Sequence, residues 1–466
     1  MSNKITTSEK NISFDKLVKI TQNPSAKVHF VGIGGVSMYS LARLAMLGGA
    51  KISGSDREES GRTRELSRLG ADVKIGHRKE NVAGASVVIY THAIPEDNCE
   101  LKEARNLQIP TISRAEYMGA LMLGYTNRIG ISGSHGKSTT VAMLDLILSR
   151  AGCDPTVLSG AELPIGEPLK VGSKNLMIYE SCEYKDSFLK FAPTVSVGLN
   201  LELDHTDYFE NIGAMRDSFK KALGKATKFS VVNGDDVNFR PMIASLPTEV
   251  VTFGSGERNK YQYSVTSFRE RGCAFVIKKF GERIGEFELN IPGAFNVENA
   301  VAAIVTALEY GIDVDTVSSA IASYRGISRR MEYVGLRYGR RVFYDYAHHP
   351  TEMRATINAL KMLTGDVVTV IFKPHTYSRT KSLWEEFRMA LSLADYVILT
   401  EIYPAREEAI PGIDSRKMAI EVGERAVFLS DDDIIPYLDE KTHGAIIIMG
   451  AGELEHIKND VLKTNY

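Results

Sequence analysis

The sequence has few cysteines and no long apolar run. Its 466 residues include four cysteines, which lie far apart and form no C-x-x-C pair: Cys99, Cys153, Cys182 and Cys273. This excludes a disulfide framework and a thiolate zinc site, and it favours a reducing compartment. No stretch approaches the roughly 18 apolar residues of a membrane span, and residues 1–25 lack the apolar segment of a signal peptide. We therefore expect a cytoplasmic protein with no membrane span.

An excess of charge of either sign is also missing. Lys and Arg number 56 and Asp and Glu number 58, which gives a formal net charge of -2. No long-range field would then attract polyanions, so nucleic acid is excluded as the main partner and any phosphate contact must be local. The composition, 44% hydrophobic and 24% charged, excludes a mainly disordered chain.

Short apolar strands, glycine-containing turns and helical stretches alternate along the chain, which predicts an α/β fold of parallel βαβ units. At roughly 150 residues per domain, the length predicts about three domains. We expect an N-terminal Rossmann-like domain over 1–125 and a central P-loop ATPase domain over 126–325. A C-terminal Rossmann-like domain would follow over 326–466. The central sheet should be mainly parallel, with a small antiparallel insertion over about 248–291, where strand-like residues alternate.

The strongest motif is a glycine-rich turn between a predicted strand and a predicted helix, Gly133-Ser134-His135-Gly136-Lys137-Ser138-Thr139. Backbone N–H groups of such a turn bind phosphate oxygens, the lysine neutralises the β- and γ-phosphates, and the hydroxyl after it can ligate Mg²⁺. The first glycine of the full Walker consensus is replaced by Ile131. The motif predicts ATP binding, against the alternative of an ordinary strand-to-helix turn.

Two candidate metal ligands follow predicted strands of the same domain. Glu180 ends the strand at 176–180, and His205 follows the strand at 194–199. Open α/β sheets bind ligands at the carboxyl ends of their strands, and Mg²⁺ held by one hydroxyl needs further support. We predict that Glu180 and His205 join Ser138 in binding Mg²⁺, with Glu183 orienting a ligand.

A second glycine turn, Gly32-Ile33-Gly34-Gly35-Val36-Ser37, follows the first predicted strand, and Asp56 lies about 20 residues further on. Ser37 stands at the third glycine of the dinucleotide pattern, so the motif alone is weak. NAD, another diphosphate such as a UDP-sugar, and a purely structural turn all stay open. We favour a bound diphosphate.

Polar runs follow two predicted strands of the third domain, at 344–351 and 373–380, and Arg329 and Arg330 lie near the preceding boundary. Charged groups and imidazoles concentrated at strand ends are poor core material, so these runs indicate a site. A guanidinium at the boundary could reach across onto transferring phosphates.

Together these motifs resemble the Mur ligases over essentially the whole chain, in the form of their Gram-positive branch. The resemblance rests on nine segments: 32–35, 53–56, 133–138, 180–184, 204–205, 296–299, 329–330, 345–350 and 375–380. It implies an ATP-dependent ligase of peptidoglycan precursor synthesis that joins L-alanine to UDP-N-acetylmuramate through an acyl phosphate. An alternative is a recycling ligase that uses a preformed murein peptide. Outside this class, an NAD-dependent oxidoreductase and a non-catalytic scaffold compete.

The resemblance also implies roles for individual residues and a closing motion of the domains, with hinges near 124–127 and 324–328. The implied catalytic residues are Lys137, His205, His348 and Arg379. The implied ATP-binding residues are Gly133, Ser134, His135, Gly136, Lys137, Ser138, Thr139, Asn296, Asn299, Arg330 and Asp345. The UDP-substrate would contact Gly32, Gly34, Gly35, Ser55 and Asp56, and Mg²⁺ would be held by Ser138, Glu180 and His205. The sequence leaves open whether the protein is a monomer or a dimer.

Overall fold

The computed structural model describes residues 13–21, 23–269, 272–365, 367–405 and 407–463. These residues form three β-sheets of five, ten and six strands, each flanked by helices. We call the three parts the N-terminal, central and C-terminal units. Within the described residues, no helix is both long enough and apolar enough to cross a bilayer.

The N-terminal unit is a parallel sheet in the order β3-β2-β1-β4-β5. Its elements are α1 (Phe14–Thr21), β1 (Lys27–Val31), α2 (Val36–Leu47), β2 (Lys51–Asp56), α3 (Gly61–Arg68), β3 (Asp72–Ile75), β4 (Val87–Tyr90), α4 (Cys99–Asn106), β5 (Thr111–Ser113) and α5 (Arg114–Leu121). The strand order reverses between β1 and β4, which opens a crevice at the carboxyl end of β1, where the first glycine turn lies.

The central unit holds a mixed sheet in the order β15-β14-β13-β12-β11-β10-β6-β9-β7-β8. Its elements are β6 (Asn127–Ser132), α6 (Lys137–Arg150), β7 (Thr156–Leu158), β8 (Leu169–Lys170), β9 (Leu176–Glu180), β10 (Val195–Gly198), α7 (Ile212–Leu223), β11 (Phe229–Asn233), α8 (Arg240–Ile243), β12 (Glu249–Gly254), β13 (Tyr261–Arg269), β14 (Gly272–Lys279), β15 (Glu282–Leu289), α9 (Ala294–Glu309) and α10 (Val314–Ser323).

The antiparallel part of the central sheet differs from the expectation in its start and its placement. The segment expected to begin it near 248 is β12, which pairs in parallel with β11. The antiparallel strands of this segment are β13 to β15, and they continue the main sheet because Phe253 of β12 pairs with Tyr261 of β13. At the other edge of the sheet, β8 is antiparallel to β7. The alternation of residues predicted strands correctly but could not specify their neighbours.

The C-terminal unit is a sheet in the order β16-β17-β21-β18-β19-β20, parallel except for the β16–β17 hairpin. Its elements are β16 (Glu332–Arg337), β17 (Arg340–Asp345), α11 (Pro350–Thr364), β18 (Val368–Phe372), α12 (Tyr377–Ser382), α13 (Trp384–Leu391), β19 (Tyr396–Leu399), α14 (Ser415–Val422), β20 (Ala426–Phe428), α15 (Ile434–Lys441), β21 (Ala445–Met449) and α16 (Glu455–Leu462). The central strands β21 and β18 are buried throughout, as their continuous apolar runs predict.

One hydrophobic cluster spans the N-terminal and central units, whereas the fully buried residues of the two C-terminal clusters all come from the C-terminal unit. Tyr117 of α5 belongs to the same buried cluster as Phe188 and Phe191 of the central unit. Gly119 of α5 lies so close to the central unit that an added Cβ would be 2.1 Å from the carbonyl oxygen of Lys190. Rotation at the hinge predicted near 124–127 would break this packing, so we expect these two units to move together.

We predict that Gly119→Ala lowers the free energy of unfolding by about 1–3 kcal/mol, because the added methyl group would collide with the backbone of Lys190, which is held in place. Urea denaturation followed by circular dichroism measures the change. Gly61→Ala in α3 is the matched control, since no atom lies within 4 Å of its added Cβ. Equal losses in the two variants would contradict the close approach at Gly119.

Candidate active site

The glycine-rich turn joins β6 to α6 at the carboxyl edge of the central sheet. Gly133 and Gly136 have φ of 149° and 85°, which a side chain would disfavour. The hydroxyl of Ser134 donates to the carbonyl oxygen of Glu202 at 2.8 Å, and the N–H of His135 donates to Oδ1 of Asn200 at 2.8 Å. The loop after β10 therefore holds the turn in shape, and the N-terminus of α6 follows it directly, which is the arrangement that binds phosphate oxygens.

The ammonium group of Lys137 lies at the centre of a buried polar cluster. Its Nζ is 3.0 Å from Oε2 of Glu183, and it donates to the carbonyl oxygens of Gly133 and Ser134. The side chains of Lys137 and Glu183 are 15% and 2% exposed. Burial alone would lower the pKa of Lys137, but the Glu183 carboxylate raises it, so the lysine stays cationic. On the other side of this carboxylate, Nε2 of His205 is 3.6 Å from Oε1 of Glu183.

The other two predicted metal ligands lie near this cluster. Ser138 is buried in the first turn of α6. The carboxylate of Glu180 at the end of β9 accepts hydrogen bonds from the hydroxyl of Ser159, at 3.1 Å, and from the N–H of Gly160. Its negative charge contributes to the raised pKa of Lys137. Glu183, which the sequence suggested only as an orienting group, is the carboxylate that contacts both Lys137 and His205.

The C-terminal unit reaches this region through α12. Arg379 pairs with Asp204, with 3.0 Å between Nη2 and Oδ1. Burial would raise the pKa of Asp204, but Arg379 holds it well below its usual range, so the aspartate is ionised. His375 faces the same guanidinium, with 3.3 Å between its Nδ1 and Nη1 of Arg379. The pair connects the loop before His205 with the C-terminal unit.

His348 is neutral in this setting. Burial and, to a lesser degree, the positive charge of Arg379 lower its pKa to about 3. Its Nδ1 is 3.0 Å from the carbonyl oxygen of Tyr346, so this nitrogen carries the proton and donates it. The remaining nitrogen, Nε2, is then an acceptor.

A cavity of about 420 Å³ lies between the central and C-terminal units, a size suited to a small-molecule ligand. Its walls unite predicted ATP-binding residues from distant parts of the chain: His135, Gly136, Thr139, Asn296, Asn299, Arg330 and Asp345. Ile291, Phe295, Tyr324 and Ile327 supply an apolar wall. The lining does not include Gly133, Ser134, Lys137 or Ser138, although these residues belong to the same turn and helix start.

Two charged groups of the cavity fit an anionic, hydroxyl-bearing ligand. The Nε atom of Arg330 is buried and has no hydrogen-bond partner among the described residues. Burial raises the pKa of Asp345 to about 6, while Arg330 and the N–H groups of Ala347 and Met331 oppose the shift. Asp345 accepts from these two N–H groups at 2.6 and 2.7 Å, which fixes its carboxylate at the cavity wall.

The glycine turn of the N-terminal unit is held by the end of β2. The N–H of Gly34 donates to Oδ2 of Asp56 at 2.7 Å, and the N–H of Gly32 donates to the carbonyl oxygen of Ser55 at 2.8 Å. Gly35 caps α2. The hydroxyl of Ser55 is fully buried and donates to Glu100 at 2.6 Å, so its side chain faces the interior. The predicted contacts of these residues with a UDP-substrate stay predictions.

The chain is similar to known proteins along nearly its whole length. Three family models match in order: "Mur ligase family, catalytic domain" at 27–126, "Mur ligase middle domain" at 131–307 and "Mur ligase, glutamate ligase domain" at 329–452. Curated relatives match over nearly the full length as well. One from Caldanaerobacter subterraneus subsp. tengcongensis is 40% identical and covers 94% of this chain and 98% of the relative. The chain belongs to the Mur ligase family.

That relative is named UDP-N-acetylmuramate--L-alanine ligase, and so is one from Caldicellulosiruptor bescii, at 41% identity with 94% and 98% coverage. Among solved structures, the UDP-N-acetylmuramate-alanine ligase MurC of Thermotoga maritima has a TM-score of 0.79 at 27% identity, covering 94% of this chain and 98% of that one. A murein peptide ligase from Psychrobacter arcticus has the same fold, with a TM-score of 0.72 at 22% identity, covering 94% and 98%. The α/β architecture expected for a Mur ligase is thereby confirmed.

Three carboxylates of this Mur ligase were missed as site residues by the sequence reasoning. Asp204 and Glu352 each contact a predicted site residue across the boundary between units, and Glu202 contacts His135 within the central unit. Glu202 and Asp204 could have been suspected from their place after a buried strand, beside His205. Glu352 lies inside a helical stretch, where an acidic residue is ordinarily solvated, so no sequence signal marked it.

We predict that Gly136→Ala weakens ADP binding at least about tenfold, because the added Cβ would lie 2.1 Å from Oδ1 of Asn299 in the cavity wall. Gly152→Ala, beyond the other end of α6, is the control. It has a similar φ of 76° but no atom within 4 Å of the added Cβ. Both variants should lose about 1–2 kcal/mol of stability from the left-handed backbone. Calorimetry with ADP separates them, and equal ADP affinities would contradict the assignment of the turn.

Proposed function

We propose that this Mur ligase joins L-alanine to UDP-N-acetylmuramate at the cost of ATP, in the cytoplasm, as a step of peptidoglycan precursor synthesis. The observation that carries the proposal is the phosphate-binding turn beside a cavity that a second unit closes with Arg330 and Asp345. The substrates are those in the name of relatives 40% identical over 94% of the chain. That name favours free L-alanine over the preformed peptide of a recycling ligase.

The reaction has two steps. An oxygen of the lactyl carboxylate attacks the γ-phosphorus of ATP, the bond to the leaving oxygen of ADP breaks, and an acyl phosphate forms. The amine nitrogen of L-alanine then attacks the carbonyl carbon, loses a proton, and expels inorganic phosphate to leave an amide. Both steps bring anionic or electron-rich groups together. The protein can therefore accelerate them mainly by holding positively charged groups in position.

Lys137 is the proposed source of that charge at the β- and γ-phosphates. Its ammonium is cationic and already held by Glu183 at 3.0 Å, so it is in position before the nucleotide binds. Arg330, with its buried and unpartnered Nε, would meet the phosphates from the C-terminal unit. Asn296, Asn299 and Asp345 would contact the adenosine part of ATP.

Mg²⁺ is proposed to bind at Ser138, Glu180 and His205. A hydroxyl, a carboxylate and an imidazole near a phosphate turn suit this ion, since oxygen ligands dominate the set. When bound, Mg²⁺ would neutralise phosphate oxygens and polarise the γ-phosphoryl group. Glu183, 3.6 Å from Nε2 of His205, would orient the imidazole.

The amino acid is proposed to bind between Arg379 and His348. The guanidinium of Arg379 can pair with the carboxylate of L-alanine while Asp204 orients it. His348 donates from Nδ1 to a carbonyl oxygen, so its Nε2 can accept a hydrogen bond from the amine. A neutral imidazole suits this role, because a second positive charge would repel the alanine ammonium group.

The remaining substrate would occupy the N-terminal unit. Gly32, Gly34 and Gly35 form a turn that Asp56 and Ser55 hold in shape, and the N-terminus of α2, which follows it, suits the diphosphate of a UDP-sugar. The buried Ser55 would act through the strand end rather than through its hydroxyl. We propose domains over 1–125, 126–325 and 326–466 for the UDP-substrate, ATP and amino acid respectively.

We predict that ADP is released only when UDP-N-acetylmuramate, L-alanine and Mg²⁺ are all present. A coupled assay for ADP and phosphate, run with each component omitted in turn, measures this dependence. A preformed tripeptide replaces L-alanine in a parallel arm. Faster turnover with the tripeptide would favour the recycling reaction, and ADP release without either acceptor would overturn the ligase proposal.

We predict that Lys137→Ala lowers kcat at least about 10²–10³-fold, because it removes the buried positive charge at the phosphates. Binding of UDP-N-acetylmuramate, measured by calorimetry, should stay within about twofold of the wild type, since its site lies in the N-terminal unit. Lys221→Ala, on α7 away from the turn, is the control for loss of a lysine. A parallel collapse of UDP-substrate affinity in Lys137→Ala would contradict the separation of the two sites.

A further inference from the structure

The imidazole of His135 joins the central unit to the C-terminal unit. Its Nε2 lies 3.0 Å from Oε2 of Glu202, in the loop after β10. Its Nδ1 lies 3.0 Å from Oε1 of Glu352, in the first turn of α11. A neutral imidazole has one N–H and can donate to only one of these carboxylates, whereas an imidazolium donates to both. The geometry therefore requires the protonated form.

Both carboxylates are tied further into the C-terminal unit. Oε1 of Glu202 accepts from the hydroxyl of Thr351 at 2.6 Å. Oε2 of Glu352 accepts from the N–H groups of His348, at 3.1 Å, and His349, at 3.4 Å. One side chain of the phosphate turn is thus connected, through two acceptors, to the turn that carries His348.

We propose that His135 is a positioning residue, whose imidazolium couples the phosphate turn to the start of α11, so that closure of the C-terminal unit over the nucleotide takes up a proton. The proposal differs from the expectation that His135 simply contacts ATP. It rests on the proposed nucleotide site only in that ADP is used to bring the two units together.

The charges that face His135 determine the direction of its pH dependence. The two carboxylates Glu202 and Glu352 attract its proton, while the ring of His349, centred 5.0 Å away, and the neutral His348 add no opposing charge at pH 7. Arg330 acts on Glu352 from the cavity side. Burial alone would lower the pKa of His135, but the carboxylates raise it to about 9.

The sign of the linkage follows from this raised pKa. With the units apart, His135 loses Glu352 but keeps Glu202, so its pKa falls from about 9 toward its ordinary value of about 6.5 without the Glu352 contribution. The contribution to closure is then fully present below about pH 6.5, declines as the pH rises, and is lost above about pH 9. Near pH 8, closure takes up protons, because His135 is mostly protonated when closed and less protonated when only Glu202 faces it.

The test uses the full chain with ADP as the probe and compares wild type, His135→Gln and His456→Gln. Calorimetry at pH 8 in buffers of different ionisation enthalpy measures proton uptake, and titrations from pH 7 to 9.5 give the affinity. His456 is the matched control, a histidine paired with Asp431 at 2.7 Å within the C-terminal unit and away from the boundary. Circular dichroism checks the folding of each variant.

We expect wild type and His456→Gln to take up protons on ADP binding at pH 8 and to lose affinity several-fold between pH 7 and 9.5. In His135→Gln both the uptake and the decline should disappear. Undiminished uptake in His135→Gln, or no uptake by the wild type, would overturn the proposal. Failure of the wild type to bind ADP at all would instead overturn the proposed nucleotide site.

A second pair of variants keeps the test decisive if His135→Gln does not fold. Glu352→Gln removes one carboxylate, so the uptake at pH 8 should fall by at least half. Thr351→Val removes the neutral hydrogen bond to Glu202 but leaves both charges, so the uptake should stay near the wild-type value. Equal uptake in these two variants would contradict the role of the Glu352 carboxylate and with it the proposal.

Discussion

The buried pair of Lys137 and Glu183 is the constraint on which the site depends. Moving an ammonium group out of water costs several kcal/mol unless a counter-charge and further acceptors replace its hydration. Here the counter-charge is a carboxylate that is 2% exposed, and the acceptors are two carbonyl oxygens of the glycine turn itself. The turn must keep its left-handed glycines to present those carbonyls, so sequence, loop shape and charge placement are tied together.

The same pair explains how the site can meet a polyphosphate without a basic surface. Lys137 is held cationic before any nucleotide arrives, and the carboxylate of Glu183 also neighbours His205. A phosphate bound at Lys137, as proposed, would compete with Glu183 for the positive charge of the ammonium group and so leave the Glu183 carboxylate able to orient the His205 imidazole. The nearly balanced composition of the chain, 56 basic against 58 acidic residues, is therefore compatible with anionic substrates.

Features that depend on local backbone chemistry could be predicted from the sequence. Features that depend on contacts between distant parts of the chain could not. The role of the glycines in both turns, and of the Gly-Lys-Ser sequence, follows from the residue types alone. These residues lie between a strand and a helix, as the alternation of strands and helices predicts. Ser55 follows the same strand pattern, yet its hydroxyl is buried against Glu100, from a helix some 45 residues away. The role of Glu352 could not be predicted from the sequence either, because its partner His135 is 217 residues away along the chain. Strand alternation likewise marked β13 to β15 without showing that they extend the main sheet.

The boundary between the N-terminal and central units differs from the boundary between the central and C-terminal units, and this difference indicates which unit moves. The N-terminal and central units meet through a shared apolar core and a backbone approach at Gly119 that leaves no room for a methyl group. The C-terminal unit meets the central one across a cavity and through ion pairs, of which Arg379 with Asp204 and His135 with Glu352 are the shortest described. Apolar burial of close-packed side chains resists separation at every pH, whereas the strength of ion pairs such as His135 with Glu352 depends on the protonation of their members. We therefore expect the C-terminal unit to be the part that opens, with the groups that titrate at its boundary able to regulate that motion.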